Sequence, residues 1–82
     1  MKVEALEEIV RRALAETAPD VDAATVDAAA DFHDDLGLDS MDSLNLAIVL
    51  HEATGIDIPE VDTPQITSIA TCVAYLAQRS SR

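Results

Sequence analysis

The stretch "LGLDSMDSL", residues 36–44, decides how this chain is read. A glycine-containing loop ends there and a helix begins. Asp39 is a good N-cap, because its short carboxylate can accept a hydrogen bond from an open backbone N–H. Asp42 stands three residues on, where a capping-box acid returns a bond to the cap residue's own N–H. The apolar residues that follow predict a helix over residues 40–54. Gly55 predicts its end, since glycine takes the left-handed conformation that closes a helix. One serine, Ser40, therefore sits in the first turn, where open N–H groups and the helix dipole favour an anion such as a phosphate. Serine is also common there as a plain capping residue, so the position alone leaves both readings open.

Upstream, Val3, Leu6, Val10, Ala13 and Leu14 recur at spacings of three and four, which predicts a helix over residues 3–16. Its acids come early and its arginines late, as the dipole favours, and Pro19 bars continuation. Residues 17–39 form a long connection rich in Asp and Ala. A connection of this length needs apolar anchors or a function. Val21, Val26, Phe32, Leu36 and Leu38 are the expected anchors, with a helical turn expected within residues 23–30. Downstream, "IDIPE" turns at Pro59, and residues 60–64 predict one short helical turn. Thr67 is the expected cap of a last helix over residues 68–79, with Ile69, Ala70, Val73, Leu76 and Ala77 on its apolar face. Residues 79–82 read as a polar tail. The sum is an all-α fold, a small four-helix bundle with three main helices and one short helix. It forms a single domain over residues 1–82.

Net charge is −11, with five Lys or Arg residues against sixteen Asp or Glu. Nucleic-acid binding needs clustered basic side chains and is excluded on this ground. An anionic membrane would repel the surface. Basic protein surfaces are the expected partners, reached by electrostatic steering, although acidity also keeps small domains soluble. Phe32 and Tyr75 are the only aromatic residues, so the core is aliphatic. The single cysteine, Cys72, can form no internal disulfide and is expected as a buried core thiol. The acidic start "MKVEALEEIV" does not read as a signal peptide, and no apolar run approaches a membrane span. A soluble, cytoplasmic monomer with no membrane insertion is expected.

Several chemistries fail on spacing. A serine-hydrolase elbow needs glycine two residues after the serine, where this chain has Asp42. An EF-hand needs glycine at position six of its loop, and counting back from Gly37 puts Phe32 at position one. His33, Asp34 and Asp35 are adjacent, which rarely lets side chains converge on one metal; no metal is expected. Along the helix after Ser40, Leu46, Ala47, Val49, Leu50 and Ala53 share the side expected to face the core. Met41, Leu44 and Ile48 form a second stripe, bordered by His51 on one edge and by Asn45 and Glu52 on the other. The stripe either packs beneath the long loop or is shown to a partner.

Taken together, "DLGLDSMDSL" at residues 35–44, "GIDIPE" at 55–60 and "ITSIATCVAYL" at 66–76 resemble the acyl carrier proteins over nearly the whole chain. Met41 replaces the leucine usual after the serine. The resemblance implies that Ser40 carries a covalent 4′-phosphopantetheine derived from coenzyme A, with Asp39 serving as cap and recognition residue. The arm's thiol would carry acyl groups as thioesters between enzymes of fatty-acid or related lipid biosynthesis, so the protein would not itself be an enzyme. It implies a phosphopantetheinyl transferase as partner, together with an acyl-ACP synthetase, ketosynthase or acyltransferase bearing a basic patch. The implied partner surface is Met41, Asp42, Leu44, Asn45, Ile48, His51 and Glu52. The implied acyl pocket and core are Leu46, Leu50, Ile58, Ile66 and Ile69. Asn45 and His51 stand where such carriers often have acids, which points to a specialised carrier. A polyketide, aminoacyl or lipid-modification carrier is the alternative, and an unmodified helical interaction adaptor is the alternative of another class.

Overall fold

The computed structural model describes residues 2–80. Met1, and Ser81 and Arg82 of the expected polar tail, lie outside it. The described chain is all helical. Helix α1 spans Val3–Thr17, α2 spans Ser40–Thr54, a 3₁₀ helix spans Glu60–Gln65, and α3 spans Ile69–Ser80. Helix α1 packs on both α2 and α3, and the 3₁₀ helix closes against α2 and α3. The expected four segments are all present within two residues of the expected bounds. The expected tail starts later, because α3 includes Arg79 and Ser80.

The core is aliphatic, as composition requires. Leu6, Val10 and Leu14 of α1, Leu46 and Leu50 of α2, Ile69 and Leu76 of α3 and Phe32 of the long connection belong to one buried cluster. Each such side chain contributes about 1.5–3 kcal/mol on burial. Three residues placed on core faces by periodicity are exposed instead. Val3 heads α1, ahead of its first buried position, and is 56% exposed. Ala53 is exposed because the buried row of α2 runs Ser43, Leu46, Ala47, Leu50 and stops a turn short of the C-terminus. Ala70 is exposed while Cys72 and Tyr75 are buried, which turns the inner face of α3 toward those two larger side chains.

Residues 18–39 contain no α-helix. In place of the expected turn over 23–30, one turn closes at Asp22–Val26 and another at Asp27–Ala30. The segment is held from three sides. Arg11 Nη1 of α1 donates to the carbonyls of Ala23 at 3.0 Å and Val26 at 2.7 Å. Ala70 N–H donates to Ala28 O, and Phe32 N–H to Thr67 O. Phe32 is fully buried and Leu38 nearly so, while Val21, Val26 and Leu36 are half-buried against the core. All five expected anchors are therefore used.

The cap of α3 is Ser68 rather than Thr67. Ser68 Oγ accepts from Thr71 N–H, and Thr71 Oγ1 accepts in return from the N–H groups of Thr67 and Ser68. Thr67 is engaged through its backbone instead, its carbonyl taking the Phe32 N–H. The 3₁₀ helix is fixed to α3 by Asp62. Its Oδ2 accepts from Tyr75 Oη at 2.6 Å and from Arg79 Nη2 at 2.9 Å, and the Arg79 guanidinium lies 4.3 Å from the centre of the Tyr75 ring.

Candidate functional site

The site is built at the start of α2. Asp39 is extended at the cap position, and both halves of the expected capping box form. Asp42 N–H donates to Asp39 Oδ1 at 2.9 Å, and Asp39 N–H donates to Asp42 Oδ2 at 3.1 Å. Such a cap is worth about 0.5–2 kcal/mol. At the other end Gly55 has φ 72°, and its N–H closes on His51 O at 2.7 Å. The loop before the helix is equally defined. Leu38 is buried and its N–H donates to Phe32 O. Asp31 Oδ1 accepts from the N–H groups of His33 and Asp34, and Asp31 N–H donates to Asp35 Oδ2. Asp31 and Asp35 thus close their own turn, and among the described residues no cluster of three His, Cys, Asp or Glu is placed to hold a metal ion.

Ser40 is exposed, and its hydroxyl has no hydrogen-bond partner among the described residues. The first backbone bond of α2 is Ser43 N–H to Asp39 O, so the N–H groups of Ser40 and Met41 stay open. An open hydroxyl beside two open amides at a helix start fits a phosphodiester. The Asp39 and Asp42 carboxylates at the same end oppose a further anion. In water that repulsion is about 1 kcal/mol for charges some 4 Å apart, and the helix dipole offsets about 0.3–1 kcal/mol of it. With two carboxylates the repulsion exceeds the dipole's contribution by about 1 kcal/mol, a cost small beside that of forming a covalent bond.

Beside Ser40 lies a groove of about 550 Å³ between α2 and the 3₁₀ helix. Ser43 and Leu44 line it from α2, with Thr63 and Pro64 opposite and Ile66 and Thr67 beyond. A second groove of about 300 Å³ continues toward the C-terminus of α2, between Leu44, Ile48 and His51 on one side and Ile58 and Thr63 on the other. Leu44 and Thr63 border both grooves. Thr63 Oγ1 is buried and has no hydrogen-bond partner among the described residues, an arrangement that costs about 1–3 kcal/mol.

The expected site residues separate into three groups. Ser40, Leu44 and Ile66 meet in the first groove, and Leu44, Ile48, His51 and Ile58 in the second. Leu46, Leu50 and Ile69, expected in the acyl pocket and core, are at most 1% exposed; they lie in the core and line neither groove. Asn45 and Glu52 are exposed away from both grooves. The apolar stripe of α2 is open rather than packed under the loop: Met41 is 67% and Ile48 57% exposed, with Leu44 half-buried. Val61 of the 3₁₀ helix, 81% exposed, adds to the exposed apolar surface. His51 Nδ1–H donates to Ile56 O at 2.9 Å and leaves Nε2 free. Ser43, Thr63 and Thr67 were not expected at the site. Of these only Ser43 had a sequence signal, its spacing of three from Ser40, which puts both on one helix face.

Two other titratable groups are perturbed. Burial pushes the Cys72 thiol up to about 12, so it stays protonated and inert. Desolvation, followed by the hydrogen bond to Asp62, raises Tyr75 above the ordinary phenol range. Neither group touches the grooves.

No described helix is long and apolar enough to cross a membrane. The family model described as the phosphopantetheine attachment site matches residues 4–76. Its members carry 4′-phosphopantetheine covalently and serve as carriers rather than catalysts, meeting phosphopantetheinyl transferases and acyl-handling enzymes. The match spans α1, the long connection, α2, the 3₁₀ helix and most of α3, so the chain belongs to the phosphopantetheine-attachment family, that of the acyl carrier proteins.

Proposed function

We propose that Ser40 is the attachment residue and that the protein is a specialised acyl carrier of fatty-acid or related lipid biosynthesis. The observation that carries this reading is the exposed, unpartnered Ser40 hydroxyl at the start of α2, facing a groove. On loading, Ser40 Oγ bonds to the phosphorus that bears the pantetheine of coenzyme A. The pyrophosphate bond breaks, the nucleotide bisphosphate leaves, and a base of the transferase takes the hydroxyl proton. The arm then supplies a thiol for thioester carriage. Asp39 and Asp42 hold the helix start so that the hydroxyl is presented the same way to each enzyme.

The exposed stripe of Met41, Leu44 and Ile48 is the proposed docking surface for a ketosynthase, acyltransferase or acyl-ACP synthetase. Apolar contact at its centre supplies contact energy, while charge at its rim governs approach and discrimination. Asn45 and His51 reduce acidity on that rim, which supports specialisation. The protein is proposed to act as a cytoplasmic, monomeric single domain.

The test is intact mass after incubation of apo protein with coenzyme A and a broad-specificity transferase. Wild type gains one phosphopantetheine and Ser40→Ala gains none. An unchanged wild-type mass overturns the reading and favours the unmodified adaptor; gain of mass by Ser40→Ala moves the attachment elsewhere.

A further inference from the structure

Met1, Met41 and Cys72 carry the sulfur of this sequence, and the fold treats the two it describes in opposite ways. Cys72 is fully buried, and burial pushes its thiol up to about 12. Cysteine oxidation runs through the thiolate, so this sulfur is closed to an oxidant. Met41 is 67% exposed, more than any other large apolar side chain of α2. A thioether needs access rather than ionisation to be oxidised. Among the described residues Met41 is therefore the sulfur open to chemistry. Its place gives that chemistry a consequence. Met41 directly follows Ser40 in the first turn of α2. An enzyme that forms a bond at Ser40 Oγ has to close over the side chains around it. A thioether is apolar and flexible and adapts to such a surface. A sulfoxide is polar, and covering it without a hydrogen-bond partner costs free energy. The helix start itself does not depend on this side chain, because Asp39 and Asp42 close on each other's N–H groups.

We propose that Met41 is a reversible oxidation site that governs loading at Ser40: the transferase closes over the thioether readily and over the sulfoxide poorly. The proposal rests on the carrier reading of Ser40. In the forward step hydrogen peroxide gives one oxygen atom to the sulfur. The O–O bond breaks, the sulfur is oxidised by two electrons, and the second oxygen leaves as water with both protons. In the reverse step two thiols of a reductase close to a disulfide, and the sulfoxide oxygen leaves as water. A neutral peroxide suits this site, since an anionic oxidant would meet a chain of net charge −11 and be repelled by its field.

The test uses the full apo chain, as wild type and as Met41→Leu, each with and without hydrogen peroxide, which is removed before loading. Peptide masses place the added oxygen at Met41 or at Met1. Each sample is then loaded from coenzyme A by a broad-specificity transferase at limiting carrier concentration, which reads kcat/KM. Peroxide should slow wild type by about tenfold, the factor that one lost apolar anchor of an interface represents, and should leave Met41→Leu at its own untreated rate. Methionine sulfoxide reductases, one for each sulfoxide epimer, should restore both mass and rate. Urea unfolding of the oxidised wild type should match that of the untreated protein, because the side chain is exposed. Met41 that stays unoxidised while Met1 is converted overturns the proposal. So does oxidised protein that loads at the untreated rate, a peroxide loss shared by Met41→Leu, or a fall in stability that accounts for the loss. Untreated wild type that accepts no arm instead removes the carrier reading of Ser40, and the proposal falls with it.

Discussion

Replacing Arg11 by Met should cost far more than any other change to an arginine of α1. The stem length is kept and the guanidinium removed. Two hydrogen bonds to the carbonyls of Ala23 and Val26 go with it, at 3.0 and 2.7 Å, along with the pair to Glu7 at 3.0 Å. A hydrogen bond from a charged donor is worth about 1.5–3 kcal/mol when well buried. The Arg11 side chain is 21% exposed, and water can reach part of what it leaves, so about 2–3 kcal/mol for both carbonyl bonds together is the reasoned loss. The Glu7 pair adds at most about 0.5 kcal/mol, as an i,i+4 pair on a helix surface. For a domain of this size 1 kcal/mol moves the melting temperature by about 4–8 °C, which puts the expected fall at roughly 10–20 °C. Arg12→Met is the control: its side chain is 78% exposed and bonds only to Glu8, so it should lose under about 0.5 kcal/mol. Arg11→Lys should recover little, because an ammonium lacks the planar fork that spans two carbonyls. Urea unfolding with a fixed slope gives the comparison. If Arg11→Met and Arg12→Met differ by less than about 0.5 kcal/mol, the guanidinium does not hold the connection and this account of its order is wrong.

Stability should fall as pH rises from about 9 toward 12, because the folded state holds the Cys72 proton that the unfolded chain releases. The slope should approach about 1.4 kcal/mol per pH unit from this group, with Tyr75 adding in the same direction, and Cys72→Ala should flatten it in urea titrations at successive pH values. Asp62→Ala leaves Tyr75 Oη and Arg79 without their shared acceptor and should cost about 1–2 kcal/mol, read by thermal melting. Asn45→Glu with His51→Glu should speed association with a ketosynthase bearing a basic patch, more so at low salt; surface binding that shows no change would remove the case for a specialised rim. Ile48→Ala should weaken docking by about 1–2 kcal/mol in the same assay.

The helix starts and stops were legible because their chemistry is local. Asp39 and Asp42 close on each other across three residues, and Gly55 meets a backbone need within its own turn. Periodicity found the inner residues of α1 and α2, because burial follows a fixed angular step. It failed at Val3, Ala53 and Ala70, where the facing neighbours, not the step, decide which residues are covered. The cap of α3 moved from Thr67 to Ser68 because Phe32, thirty-five residues upstream, takes the Thr67 carbonyl. The groove was the least legible part. Its hydroxyls come from α2, the 3₁₀ helix and the residue before the cap of α3, and no sequence pattern joins Ser43 to Thr63. Of the apolar residues expected in the acyl pocket and core, Leu46, Leu50 and Ile69 lie in the core while Ile66 and Ile58 also border the grooves. Sequence hydrophobicity shows that a residue will be buried, and the fold alone shows whether anything is left open beside it.

A carrier must satisfy two demands that pull apart. Its attachment serine, proposed to be Ser40, has to look the same to every enzyme, yet the hydroxyl must be free to react. The structure separates them by a few residues. Leu38, two positions before Ser40, is buried and bonded to Phe32. Asp39 and Asp42 lock the turn on either side through backbone N–H groups, and Leu46 anchors the next turn in the core. Ser40 is thus bracketed by fixed neighbours while making no hydrogen bond through its own hydroxyl. The capping acids sit where an incoming phosphate would prefer positive charge, and their cost there is offset by the helix order they impose. Their charge also extends the acidic field of the connection to the rim of the site, where a basic enzyme surface approaches. If Ser40 is the attachment residue as proposed, the same two carboxylates would set the geometry of the serine and bias which enzymes reach it, and neither role would require contact with the reacting atoms.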